Sequence, residues 1–170
     1  MTTRIGFYHL VPLPLEQALP KLLEKAMAAG NRVVVMAGSP ERVAHLDDLL
    51  WTYQPDSWLP HGTAAQPDQD AQPILITDRD ENHNNADMLI LTDGVATAQV
   101  AGFARCLNIF DGNDPAAVDI ARAQWKDWKN LGLELVYYQQ TERGGWVEKA
   151  RAGGSESPSG SGAPADPSGQ

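Results

Sequence analysis

Apolar and polar positions along the chain follow two alternating patterns. Short apolar runs bounded by turn residues are typical of β-strands. They occur at residues 4–10, 32–37, 73–77, 87–92, 103–110 and 133–139, the last of which is expected to be the final strand. The run at 32–37 is almost wholly apolar, as in a strand that is buried on both faces.

Three other segments, at residues 13–29, 40–53 and 115–131, have apolar residues at helical spacing. Gly30 and Gly132 are positioned to end the first and the third of these helices. Ser39 is placed to cap the second, with Pro40 in its first turn. Pro20 requires the first helix either to begin near it or to kink.

The order of these elements predicts the fold class. Alternating strands and helices favour an α/β domain with a largely parallel central sheet flanked by helices. The last twenty residues differ in composition, because thirteen of them are Gly, Ser or Pro and none is large and apolar. Such a segment does not bury enough surface to offset its ordering entropy. We therefore expect a folded domain at 1–150 and a disordered tail at 151–170.

Charge, cysteine content and the length of apolar runs narrow the possible partners and the expected compartment. The 170 residues include 22 acidic and 13 basic side chains, a net charge of −9. That charge repels phosphate backbones, so direct binding of nucleic acid is not expected. A single cysteine, Cys106, excludes an internal disulfide and is typical of a reducing compartment. No apolar run is long enough for a signal peptide or a membrane helix, so a cytoplasmic protein without membrane contact is expected.

Known catalytic and cofactor motifs are absent from the sequence. The connection at residues 9–17 has no glycine to cradle a phosphate, and neither glycine-rich phosphate motif occurs. His83 lies in a polar segment at residues 78–85 that is better explained as a strand connection than as a metal site. Cys106 lies in an apolar strand and is expected to pack in the core. We predict no catalytic residue, no metal and no cofactor.

The predicted helix at residues 115–131 carries two stripes. The expected core face contains Ala117, Ile120, Ala121, Trp128 and Leu131. A second stripe, expected to lie outside the core, contains Val118, Arg122, Trp125 and Lys129, with Lys126 beside it. It suits a ligand that is both anionic and apolar, such as an acidic peptide ending in an aromatic residue and a free carboxylate. Periodicity equally allows a solvated face on which Trp125 covers a neighbouring strand.

A second group of aromatic residues lies at residues 50–62. Trp51 and Trp58 lie on a segment that contains two prolines and leaves a helix. Aromatic side chains on a stiffened loop often anchor a protein partner. The alternative is that they close one end of the core.

These two segments, together with a short apolar run between them, resemble one known family. The runs LWTYQPDSWLPHG, QPILIT and IFDGNDPAAVDIARAQWKDWKNLGLELVYYQQ are similar in sequence and order to the chi subunit of bacterial DNA polymerase III holoenzyme, the HolC family. The resemblance covers residues 4–142 and leaves out the tail. It implies a single Rossmann-like three-layer domain without a nucleotide-binding loop.

The resemblance also implies a role and its residues. The family is non-catalytic by itself and belongs to a DNA-directed DNA polymerase holoenzyme. One surface binds the C-terminal tail of single-stranded DNA-binding protein (SSB), which implies Arg122, Trp125, Lys126, Lys129 and Val118, although some members have lysine where Val118 stands. Another surface binds the psi subunit of the clamp loader or a helicase, which implies Trp51, Trp58, Pro60 and His61; here Trp58 replaces a smaller aromatic residue.

We therefore expect an accessory replication subunit that contacts DNA only indirectly, through SSB. Two alternatives remain at this point: a helicase-associated DNA repair factor, and a nucleotide-dependent enzyme on a degenerate α/β fold.

Overall fold

The computed structural model describes residues 3–54 and 59–153. These ranges contain the helices α1 Leu15–Ala28, α2 Pro40–Thr52 and α3 Pro115–Asn130. They also contain the strands β1 Arg4–Leu10, β2 Val33–Met36, β3 Gly62–Thr63, β4 Ile74–Thr77, β5 Met88–Leu91, β6 Arg105–Asp111, β7 Glu134–Gln140 and β8 Trp146–Ala152.

One sheet joins these strands in the order β3-β4-β2-β5-β6-β1-β7-β8. Neighbouring strands are parallel from β3 to β7, and β8 pairs with β7 in the antiparallel direction. The predicted α/β class with a largely parallel sheet is confirmed. The expectation that residues 133–139 form the final strand is wrong, because β8 follows and extends to Ala152. Its sequence mixes charged and apolar residues, so it lacks the signal of a buried strand.

The alternation of side chains along β1 divides the core into two clusters. Ile5 and Phe7 pack against α3, whereas Tyr8 and Leu10 pack on the opposite face, which α1 and α2 cover. Because successive strand residues point to opposite faces, a strand buried on both sides is apolar at nearly every position. The result is a sheet between two helical layers.

Local signals in the sequence fix the helix ends. The Ser39 hydroxyl accepts a hydrogen bond from the Arg42 amide at 3.2 Å, so the predicted cap of α2 is confirmed. Gly30 and Gly132 follow α1 and α3 with φ of +83° and +80°, a conformation that favours glycine. Of the two alternatives for Pro20, a helix that begins near it is wrong, since α1 begins at Leu15 and includes Pro20. None of the helices in the described ranges is both long and apolar enough to cross a bilayer.

The polar segment between β4 and β5 is held by a buried amide. Asn84 is fully buried, and its side-chain nitrogen donates to the carbonyl oxygens of Val33 at 3.0 Å and Gln72 at 2.9 Å. Arg32 Nε in turn donates to the backbone carbonyl oxygen of Asn84 at 2.8 Å. This network ties the connection to the start of β2.

We expect Asn84→Ala to lower the free energy of unfolding by about 2–3 kcal/mol, because two buried hydrogen bonds are lost. The Gln72 carbonyl oxygen keeps a second donor, Arg32 Nη2 at 3.1 Å. Urea denaturation measures the change. The neighbouring exposed residue provides the control, since His83→Ala is expected to stay within about 0.5 kcal/mol of wild type. Equal losses in both variants would contradict a structural role for the Asn84 amide.

Candidate functional site

Helix α3 presents a row of basic side chains to solvent. Arg122, Lys126 and Lys129 are spaced by four and three residues, which places them along one side of the helix, and all three are exposed. None of them makes an ion pair with a carboxylate in the described part of the chain. On a chain of net charge −9, this unpaired row is suited to an anionic ligand.

The indole of Trp125 lies between the basic row and the sheet. Its ring centroid is 5.2 Å from that of Phe7, in an edge-to-face arrangement, and 6.0 Å from that of Tyr137. Edge-to-face packing of this kind fixes the ring plane. Trp125 is only half-buried, so the contact leaves a rigid apolar surface beside the cations.

The expected division of α3 into a core stripe and an outer stripe is partly wrong. Val118 and Trp125 both pack against the α3-side cluster, although they were expected to lie outside the core. Ile120 and Leu131, expected in the core, are 43% and 71% exposed. The reason is the rotation of α3 about its axis, which brings both Trp125 and the buried Trp128 against Phe7, with ring centroids 5.2 Å and 5.7 Å from that of Phe7.

A histidine and a tyrosine from the sheet complete this region. His9 Nδ1 lies 2.5 Å from the Tyr137 hydroxyl oxygen. Burial lowers the pKa of His9 from its ordinary value, Asp111 opposes that shift, and Arg122 lowers the pKa further. Burial raises the pKa of Tyr137, whereas the charge of Arg122 lowers it. Because Tyr137 contacts both His9 and the Trp125 ring, the end of β1, the middle of β7 and α3 meet in one region, which we call the α3 site.

The second predicted surface is only partly accessible. Trp51, at the end of α2, is 55% exposed, and its ring lies 4.6 Å from that of His61. His61 is buried, with Nδ1 2.6 Å from the Leu59 carbonyl oxygen and Nε2 3.0 Å from Asp47 Oδ1, although the latter angle is not that of a hydrogen bond. Pro60 is half-buried, and Trp58 lies outside the described residues. The buried His61 ring therefore packs against the exposed Trp51 ring and restricts its position.

The two predicted surfaces lie on opposite faces of the sheet. Trp51 follows Leu50, which belongs to the cluster under α1 and α2, whereas Trp125 packs on the cluster under α3. Four strands separate β3, near Trp51, from β1, near Trp125, which corresponds to roughly 24 Å along the sheet.

A cleft of about 480 Å³ opens at the carboxyl ends of β1 and β6. The helices that follow these adjacent strands lie on opposite faces, which is where α/β proteins commonly bind ligands. Its charged lining consists of Arg42 and four carboxylates, those of Glu16, Asp93, Asp111 and Asp114. This lining repels phosphate groups, so the cleft is unsuited to a nucleotide.

The remaining reactive side chains have structural surroundings. Cys106 is fully buried in the α3-side cluster, which confirms its predicted core position, and burial raises the pKa of its thiol. His83 Nε2 lies 2.7 Å from Glu81 Oε2. No group of three His, Cys, Asp or Glu side chains within residues 3–54 and 59–153 is arranged to hold a metal ion.

Sequence reasoning missed the sheet side of the α3 site. Because side chains alternate along a strand, the sequence already places Phe7 and His9 on one face of β1 and Tyr8 on the other. Tyr137, however, comes next to Phe7 only through the parallel register of β1 and β7. Parallel partners are distant in sequence, and no local signal gives their register.

Comparison with known proteins identifies similar sequences. The family model described as DNA polymerase III chi subunit, HolC, matches residues 1–136. A Rickettsia prowazekii protein named probable DNA polymerase III subunit chi is 27% identical over 107 residues, which cover 63% of this chain and 65% of that protein. The chain thus spans just under two thirds of that relative. The DNA polymerase III subunit chi of Pseudomonas aeruginosa is 26% identical over 137 residues, which cover 78% of this chain and 94% of that protein.

The pKa of His9 tests whether the α3 site is assembled as described. We expect His9 to titrate below its ordinary value of 6.5. Arg122→Gln should raise that midpoint, because a repelling cation is removed, and Asp111→Asn should lower it, because an attracting anion is removed. An NMR titration of the His9 ring protons measures all three midpoints, and an unchanged midpoint in Arg122→Gln would separate Arg122 from the site.

The same shift sets the sign of a stability effect. The unfolded chain binds the His9 proton more tightly than the folded protein does, so unfolding takes up protons. The His9 contribution to stability therefore falls as pH drops from about 6.5 toward the folded pKa. Comparing wild type with His9→Gln over pH 5–7 isolates this contribution.

Proposed function

The chain belongs to the DNA polymerase III chi subunit family, and we propose that it is a non-catalytic accessory subunit that links the replicase to SSB. In this proposal the α3 site binds the C-terminal tail of SSB, and the surface around Trp51 binds the psi subunit of the clamp loader or a helicase. The observation that carries the proposal is the row of unpaired cations beside a fixed, half-exposed indole on a strongly acidic protein.

The α3 site matches a peptide that ends in an aromatic residue. The Trp125 ring, held by Phe7 and Tyr137, offers an apolar surface for the terminal side chain. Arg122 lies next to that surface and is suited to the α-carboxylate, because its guanidinium presents paired donors. Lys126 and Lys129 continue the row and suit acidic residues that precede the terminal one.

Approximate magnitudes agree with weak, reversible binding. Burying a terminal aromatic ring removes about 150–250 Å² from water, a gross gain of about 4–6 kcal/mol. A charge-assisted bond to Arg122 adds about 1.5–3 kcal/mol. Ordering a flexible peptide takes several kcal/mol back from this gross total of about 5.5–9 kcal/mol, which leaves binding no tighter than micromolar. The ring supplies most of the gross energy, and the charges supply register.

Weak binding is sufficient for a tether. Many SSB tails stand at high local concentration on coated DNA, so repeated weak contacts hold the protein near the template without direct contact with DNA. The positions of the two surfaces on opposite faces of the sheet support simultaneous binding of a second partner.

The surface around Trp51 supports the second half of the proposal. An exposed tryptophan that packs against a buried histidine presents a large apolar area at low entropic cost. The nucleotide-dependent alternative is disfavoured by the four carboxylates of the cleft at the carboxyl ends of β1 and β6.

Calorimetry with a short SSB tail peptide tests the α3 site. Arg122→Ala should weaken binding at least about tenfold and flatten its salt dependence, because one charged contact is lost. Trp125→Ala should weaken binding while the salt dependence is nearly retained. Arg79→Ala is the matched control, since Arg79 is exposed and follows β4, which three strands separate from β1.

Two further measurements decide the outcome. A peptide that lacks its terminal phenylalanine should bind at least about tenfold more weakly; equal binding would exclude a pocket for ring and carboxylate. Unfolding midpoints of both variants separate lost contacts from lost stability, because Trp125 also packs on the core.

A capture experiment tests the second surface. We expect Trp51→Ala to lose capture of a psi subunit or helicase, identified by mass spectrometry, while the SSB peptide binds with unchanged affinity. The identity of the captured protein distinguishes a replicase role from a repair role. Leu131→Ala, which removes another exposed apolar side chain, should retain capture. Loss of both activities in Trp51→Ala would instead indicate general destabilisation.

A further inference from the structure

A second aromatic groove lies on the face of the sheet opposite the α3 site. It has a volume of about 270 Å³ and runs between α1 and the strands β1, β6, β7 and β8. Its aromatic wall consists of Tyr8, Tyr138 and Trp146, and aliphatic side chains of α1 and β6 form the floor. We call it the β8 groove.

The aromatic wall is rigid. The Tyr8 ring centroid is 5.1 Å from that of Tyr138 and 4.9 Å from that of Trp146, the latter at an interplanar angle of 87°. The Tyr8 ring lies over Gly6, where a Cβ would come within 2.6 Å of it, so the absence of a side chain at Gly6 makes room for the ring. Tyr138 and Trp146 remain half-exposed, so the wall is accessible without rearrangement.

The charge of the groove contrasts with that of the chain. Its lining contains Lys25 and Arg105 and no carboxylate, although the net charge is −9. Neither cation makes an ion pair with any residue that the structure describes. Burial raises the pKa of Tyr8 and the Arg105 charge opposes this shift, which indicates that the guanidinium lies beside the aromatic wall. Two uncompensated cations next to apolar rings favour an anionic, partly apolar ligand.

The size of the groove narrows the class of ligand. Small-molecule and cofactor sites usually enclose about 300–1,000 Å³, and the β8 groove, at about 270 Å³, is smaller than that range. It is suited to a single large side chain of a longer ligand. The chain's own residues 154–170 contain no large apolar side chain, so that segment cannot supply it.

A peptide fits these features better than a single strand of nucleic acid. Strand binding needs a series of exposed rings on which successive bases stack. Here Tyr8 is only 7% exposed, and the groove has two cations against a chain that repels phosphates. An acidic peptide needs one pocket and a pair of adjacent cations, and both are present.

We propose that the β8 groove binds an internal acidic segment of a protein partner, inserting one large apolar side chain against Trp146 while adjacent carboxylates contact Lys25 and Arg105. This site is separate from the two surfaces of the proposed function and goes beyond it. Trp146 belongs to β8, which lies after the region that the family model matches.

A capped peptide separates this groove from the α3 site. The probe is acetyl-Asp-Glu-Phe-Asp-Glu-amide, which has no free terminal carboxylate for Arg122. Binding to the full chain is followed by NMR through the indole N–H of Trp146, assigned by its loss in Trp146→Phe. We expect Lys25→Ala and Arg105→Ala each to weaken binding at least threefold, and the double variant at least tenfold. Lys21→Ala, one turn earlier on α1 and outside the groove, is the matched control and should bind as wild type.

Three results would overturn the proposal. The first is equal binding of a peptide with alanine in place of phenylalanine. The second is an equal loss of affinity in Lys21→Ala and Lys25→Ala. The third is a stronger response of the Trp146 resonance to oligodeoxythymidylate than to the peptide. The test is independent of the α3 site, because Arg122→Ala should lose the SSB tail peptide and retain the capped probe.

Discussion

The alternation of side chains along β1 is the constraint on which both candidate peptide sites depend. Phe7 and His9 point toward α3, where they support Trp125 and Tyr137, and Tyr8 points the other way, into the β8 groove. A one-residue slip in the register of β1 would turn each of its side chains to the opposite face of the sheet and would disrupt both sites. Pairing on both sides, with β6 and β7, prevents that slip.

The elements of the fold were predictable where local physics determines them. Ser39, Gly30 and Gly132 mark helix ends because capping and positive φ act within a few residues. The existence of β8 was not predictable, since a half-exposed edge strand needs no continuous apolar run. The rotation of α3 was not predictable either, because periodicity gives the spacing of a buried stripe and aromatic residues on two adjacent stripes leave its phase open.

The same distinction applies to the candidate site. Arg122, Trp125 and Lys126 share one helix, so their spacing alone places them together, and a resemblance in sequence adds what they are expected to bind. His9 and Tyr137 are 128 positions apart and meet only through the order of strands in the sheet. For a site formed by a helix and a sheet, the sequence therefore predicts the residues on the helix and not those contributed by the strands.

The acidity of the protein limits how these sites attract ligands. A net charge of −9 repels an acidic peptide at long range, so neither site gains from electrostatic steering by the whole molecule. At physiological ionic strength the Debye length is about 8 Å, which screens distant carboxylates much more than a guanidinium in direct contact. Recognition then depends on close geometry, a fixed ring with an unpaired cation beside it. Polyanions without an apolar side chain gain little from such a pocket. The negative charge of the protein therefore favours ligands with an apolar side chain over simple polyanions.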